Sequence, residues 1–159
     1  INYAKHYGFR ALIIRPHNFY GPRAGYEHVI PQFAVRIAKR EDPFLIHGAD
    51  ETRTFCYIDD AARAMAMLMD SPKTDGQPIE TVHIGGTREI AIKDLAEELF
   101  SVAGWRPKEF DIRHSPEGSV KRRLSDSSKL EQLVGWKPEV GLEEGLRRTY
   151  RWYAAHPQE

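Results

Sequence analysis

The sequence is poor in several things that would mark a specialised protein. It has a single cysteine, Cys56, so it forms no internal disulfide, and a cytoplasmic setting fits that usage. It has no excess charge of either sign: 23 Lys and Arg stand against 23 Asp and Glu. A neutral chain lacks the broad electrostatic footprint of a nucleic-acid or anionic-membrane binder. No apolar run approaches the roughly 20 residues that span a bilayer, and no signal-peptide pattern is visible. Its histidines, His6, His17, His28, His47, His83, His114 and His156, carry no HxxxH or Cys/His spacing, which argues against a metal site. Nucleophile elbows of the GxSxG kind and phosphate loops of the GxGxxG or GxxxxGK[ST] kind are also missing.

What remains is ordinary in bulk. A chain of 159 residues, 41% of them hydrophobic, is long enough for one domain with a core. Short apolar runs predict strands at Ala11–Ile14, Phe44–Ile46, Thr81–Ile84 and Phe110–Ile112. Thr54–Ile58 reads as a further strand, with Phe55 and Tyr57 on one face and Thr54, Cys56 and Ile58 on the other. Helical spacing marks Val29–Lys39, Ile92–Ala103 and Leu142–Ala155. Asp59 or Asp60 is expected to cap a helix to about Met69, and Ser125 or Asp126 one to about Val134. Ser71–Pro78 and Gly135–Pro138 read as a loop and a turn. Alternating short strands and helices predict the α/β class. So few short strands make a poor stand-alone sheet. Residues 1–8 look like the end of a helix, with Gly8 as its stop. The sequence therefore reads as part of a longer protein, with apolar surface expected at Ala11–Ile14.

Three stretches carry candidate chemistry. In ALIIRPHNFYGPR (11–23) a strand runs into Arg15, Pro16, His17 and Asn18. This is either a plain strand-to-loop junction or a ligand site at a strand's carboxyl end. In HGADETRTFCYIDD (47–60), Arg53 either grips a phosphate with its forked guanidinium or pairs with Glu51, Asp50 or Asp59. In SVKRRLSDSSK (119–129), Lys121, Arg122 and Arg123 suit either a dianion or a solvated basic loop. Cys56 reads as a small packed residue.

Together, four blocks resemble the C-terminal half of an extended short-chain dehydrogenase/reductase of the NAD-dependent epimerase/dehydratase family, which acts on nucleotide sugars. YGFRALIIRPHNFYGPR is similar to that family's strand and R-x-x-N-x-Y-G-P-R loop. DETRTFCYIDDAARAM resembles its T-R-x-F-x-Y-V-D-D helix entry. ETVHIGGTREIAIKDLAEEL resembles its Y-N-I-G-G strand and following helix, and RRLSDSSKLEQLVGWKPEVGLEEGLRRTYRWY its closing block. The resemblance implies a Rossmann-type α/β fold with a small substrate-binding lobe. Residues 1–159 would be the nucleotide-sugar-binding portion, and the NAD-binding half would lie outside the chain.

By that resemblance Pro16 and His17 lie against the cofactor, and Asn18 bonds the substrate diphosphate. His28 and Val29 help form the nucleotide pocket, His47 lies beside the base, and Arg53 binds the diphosphate with Arg122 or Arg123 as a second cation. The family's catalytic Tyr-x-x-x-Lys does not occur in the sequence and is expected upstream, so no catalytic residue is assigned here and the chain alone is expected to be inactive. The implied partner is a nucleotide-diphosphate sugar, with neither nucleic acid nor membrane. The implied cofactor is NAD, no metal is implied, and the full-length assembly is a homodimer. Transient oxidation at C4 followed by epimerisation is the favoured chemistry. 4,6-Dehydration, decarboxylation and a non-catalytic nucleotide-binding or interaction module stay open.

Overall fold

Apolar periodicity decides the helices. The computed structural model describes residues 2–8, 11–71 and 79–156. Its helices are α1 (Asn2–Tyr7), α2 (Val29–Ala38), α3 (Ile58–Met69), α4 (Ile92–Ala103), α5 (Ser128–Val134) and α6 (Leu142–Ala155). Gly8 ends α1 and Gly104 follows α4, both in the left-handed region that other residues enter at a cost. Among the described residues no helix is long and apolar enough to cross a membrane.

The strands are more numerous than the sequence predicts, and four of the expected ones run one or two residues further. They are β1 (Ala11–Pro16), β2 (Phe19–Tyr20), β3 (Phe44–His47), β4 (Thr52–Thr54), β5 (Cys56–Tyr57), β6 (Ile79–Ile84), β7 (Glu89–Ala91), β8 (Phe110–Arg113) and β9 (Arg122–Arg123). β1 pairs in parallel with β6, β2 with β5 and β3 with β8. β4 sits between antiparallel β7 and parallel β9. The class is α/β, as expected, with mostly parallel pairing.

Three expectations are corrected. Thr54–Ile58 is not one alternating strand. The chain breaks at Phe55, β4 and β5 join different sheets, and Ile58 already begins α3. Neither Asp59 nor Asp60 caps α3: Tyr57 holds that position without a side-chain bond, and both carboxylates lie inside the first turn. For α5 the cap position is Ser127, while Asp126 only accepts the Ser128 N–H at 3.0 Å. The Ser71–Pro78 loop lies outside the described residues beyond Ser71. β1 continues through Pro16, opposite Ile84. Its Leu12 and Ile14 are half-buried, and Ile13 is 37% exposed, as are large parts of Tyr3 and Tyr7.

The two larger of three apolar clusters hold most of these pieces, the third being Ala34, Val35 and Tyr153. The larger joins α2, α4 and α6 to β3, through residues such as Ile37, Phe44, Leu95, Leu99 and Leu146. The smaller joins α3, α5 and β6 through Ala61, Leu68, Val82, Leu130 and Trp136. Each fully buried leucine contributes about 1.5–3 kcal/mol by leaving water.

Asp60 is the one buried acid in the smaller core's neighbourhood, at 2% exposure among the described residues. Its carboxylate accepts the backbone N–H groups of Glu139 and Val140 at 2.9–3.1 Å and the Arg63 guanidinium at 2.8 Å. Burial pushes its pKa up, but the Arg63 and backbone bonds outweigh it, and the carboxyl titrates below its ordinary 3.8. A lowered folded value means the group stabilises the fold above its unfolded pKa and loses that contribution as pH falls through the folded one. Asp60→Ala is therefore expected to cost about 3 kcal/mol in chemical denaturation. Asp60→Asn should flatten the acid limb of a stability–pH curve below about pH 4.

Candidate functional site

The chain forms an open cavity of about 640 Å³. Three parts of the fold face it: the β1–β2 junction, the start of α2, and the run from β3 through β4 to Phe55. Pro16 and Asn18 contribute from the first, and His28 and Val29 from the second. Leu45, His47, Glu51, Arg53 and Phe55 come from the third, and Arg123 from β9 closes the set. The start of α2 carries no acid in its first turn, so its free N–H groups and dipole favour an anion nearby.

Asn18 sits at φ +43°, a conformation asparagine tolerates better than most residues. Its side-chain N–H donates to the Thr54 carbonyl at 2.8 Å, and its own carbonyl accepts the Cys56 N–H at 3.2 Å. The residue thus ties the first segment to β4 and β5 while lining the cavity.

Arg53 is largely buried and held on several sides. Nη2 donates to Glu51 Oε2 at 2.7 Å, and Nη1 to the Thr52 and Lys121 carbonyls at 2.9 and 3.4 Å. Both readings of Arg53 meet here: it is ion-paired with Glu51 and it faces the cavity. Glu51 also accepts the Ser119 hydroxyl at 2.9 Å. Burial alone raises the Glu51 pKa, but bonds from Ser115, Ser119 and Arg53 bring it below its usual value, so it is ionised near neutrality. Gly48, at φ +59°, is wedged between these groups: a Cβ there would stand 2.1 Å from the Ser115 hydroxyl and 2.8 Å from Glu51 Cδ. His47 reaches the same segment through the His114 carbonyl, at 3.2 Å.

Two candidates fall outside the cavity. Arg122 donates twice to Glu89, at 2.9 and 2.8 Å. With the Thr52 hydroxyl, it holds the Glu89 carboxyl down to about 2. Of the two cations left open in the sequence, Arg123 lines the cavity and Arg122 does not. The His17 ring turns instead to His83, with Nε2 and Nδ1 2.7 Å apart. Burial, then His83, Arg123 and Arg15, push its pKa below 6.5, so it is neutral near pH 7.

Sequence reasoning missed the lining residues Leu45, Phe55 and Arg36. Arg36 is occupied by Glu41 and the Leu45 carbonyl. No local pattern distinguishes such side chains from core residues. The Cys56 thiol is buried and pushed up to about 12 by that burial and by Asp60, which removes it as a nucleophile. Among the described residues no three His, Cys, Asp or Glu side chains are placed to hold a metal ion.

A family model described as GDP-mannose 4,6 dehydratase matches residues 1–149. The chain belongs to this family. That family lies within the NAD-dependent epimerase/dehydratase group of the extended short-chain dehydrogenases/reductases. Probable GDP-L-fucose synthase 1 of Oryza sativa subsp. japonica is 36% identical over 95% of the chain and 47% of the relative. The UDP-glucose 4-epimerase of Thermotoga maritima, solved with UDP-glucose, superposes with a TM-score of 0.85 at 28% identity, over 97% of this chain and 49% of that one. The UDP-glucuronic acid 4-epimerase of Bacillus cereus, solved with UDP-glucuronic acid and NAD, gives 0.85 at 26% identity, over 95% and 47%. The chain spans about half the length of the curated relatives it matches. Its fold is therefore part of the family's Rossmann-type α/β architecture, as the resemblance implied.

Within this family member the His17–His83 couple gives a direct test. Replacing His83 by Asn removes one of the positive influences on His17. Its titration midpoint, followed by NMR of the ring, is expected to rise toward 6.5.

Proposed function

We propose that the chain is the nucleotide-sugar-binding half of an NAD-dependent epimerase/dehydratase, and that the whole protein epimerises an NDP-sugar through transient oxidation at C4. One observation carries this reading. A single cavity gathers the fixed cation Arg53, the second cation Arg123 and the amide of Asn18 beside the start of α2. A diphosphate needs two or more positive groups and rigid donors, and a forked guanidinium presents them in matching geometry. Val29, Leu45 and His47, which also line the cavity, offer apolar and ring surfaces to a base. His28 completes the nucleotide side.

NAD, when bound, supplies the hydride acceptance and return that the chemistry requires. The described residues suit it at one edge: Pro16 and the neutral His17 stand at the carboxyl end of the parallel β1–β6 pair, where open α/β sheets take such ligands. Most of its contacts, and the Tyr-x-x-x-Lys pair, belong to the half that this sequence does not include. In our reading the protein works in the cytoplasm as a homodimer, with the exposed Tyr3 and Tyr7 of α1 near that interface. 4,6-Dehydration and decarboxylation are the alternatives within the class, and both use the same binding half.

Arg53→Ala, made in the protein that carries this chain, is expected to raise the nucleotide-sugar KM about ten- to a hundredfold while bound NAD stays unchanged. Loss of NAD with KM intact would reverse the division of roles. Calorimetry with UDP-, dTDP- and GDP-sugars tests the substrate class. No binding to any of them would leave the non-catalytic module as the reading.

A further inference from the structure

Two acids, Glu27 and Glu51, line the cavity, and the one ion-paired with Arg53 is the feature that anion binding does not explain. Glu51 lines the same cavity as Arg53 and Arg123, and its carboxylate already holds the cation to which a diphosphate would bind. A guanidinium has five N–H groups. Nη1 of Arg53 uses its donors on the Thr52 and Lys121 carbonyls, and Nη2 gives one to Glu51. The Nε side and the second Nη2 hydrogen are left for an anion. A phosphate taking that fork therefore shares Nη2 with Glu51, and two negative groups meet on one cation.

We propose that Glu51 is an internal counter-ion of the diphosphate site. It neutralises Arg53 while the site is empty and weakens the grip on nucleoside diphosphates when the site is full. The inference rests on the nucleotide-sugar reading above. A largely buried guanidinium without a partner is costly, so Glu51 keeps the empty site stable. Like charges a few ångströms apart in a half-buried cavity repel far more than they do in water, so the same carboxylate opposes a bound dianion and speeds its release. The carboxylate does a third task, because Ser119 and Ser115 bond to it. It thus anchors the 115–119 segment to the β3–β4 turn, so that segment is linked to the cation that binds the diphosphate.

The test compares Glu51→Gln, Glu51→Ala and Glu51→Asp in the protein that carries this chain, by calorimetry with UDP, dTDP and GDP at fixed ionic strength. Melting curves confirm that each variant is folded. Glu51→Gln keeps the size and hydrogen-bonding reach of the side chain without its charge. Its affinity for the diphosphate that binds best is expected to rise about tenfold, with a steeper loss of affinity as salt is added. Glu51→Ala repeats the test where an amide is not accommodated and is also expected to tighten binding. Glu51→Asp keeps the charge and is expected to stay near the wild-type value. Equal or weaker binding by both neutral variants overturns the counter-ion role and makes Glu51 a positioning residue for Arg53. Tightening by Glu51→Asp equal to that of Glu51→Gln also overturns it, because packing would then be the cause. Absence of binding by the wild-type protein to all three nucleotides overturns the nucleotide-sugar reading itself, and this inference with it.

Discussion

The backbone from Thr54 to Cys56 is where four distant segments must satisfy one another. Asn18 donates to the Thr54 carbonyl and accepts from the Cys56 N–H. The Ser125 hydroxyl bonds the Gly86 carbonyl at 3.0 Å and lies 3.3 Å from the Thr54 hydroxyl. Gly86 approaches so closely that a Cβ would stand 2.0 Å from the Phe55 carbonyl oxygen. A side chain at 86 would push that crossing apart, and only glycine permits it. The chain passes here from one sheet to another, so its backbone polar groups depend on neighbours from outside the strand.

That crossing also explains why the cavity forms where it does. Once Asn18 is tied to Thr54, the carboxyl end of β1 lies beside Arg53. The break at Phe55 ends β4 and turns its side chain to the cavity wall. The larger core, which joins α2, α4 and α6, supplies lining residues such as Ile30, Phe33 and Ile92. The polar groups of the site thus rest on packed elements, which keeps their positions cheap to maintain once the fold has formed.

Charge balance shapes the rest. Few of the basic residues near the cavity stand alone: Arg53 pairs with Glu51, Arg36 with Glu41 and Arg122 with Glu89. Arg122 and Arg123 are neighbours in sequence, yet alternation along β9 sends one to Glu89 and the other to the cavity. A basic triplet read as a string gives no means of separating them. The same holds for His17, whose ring meets that of His83, sixty-six positions away.

The sequence by itself determined the α/β class, the family and the existence of the four long helices α2, α3, α4 and α6, with α3 expected to start at Asp59 or Asp60 rather than at Ile58. Those rest on periodicity over ten or more residues and on motifs in fixed order, which are local and repeated signals. Strands β2, β7 and β9 escaped, because two or three residues carry too little pattern and their existence depends on partners. The tertiary structure alone decided the caps of α3 and α5, the split at Phe55 and the choice of Arg123 over Arg122. It also decided the presence of Glu51 within the site. Each of these turns on which groups distant in sequence come within hydrogen-bonding distance, and only the folded chain sets that distance.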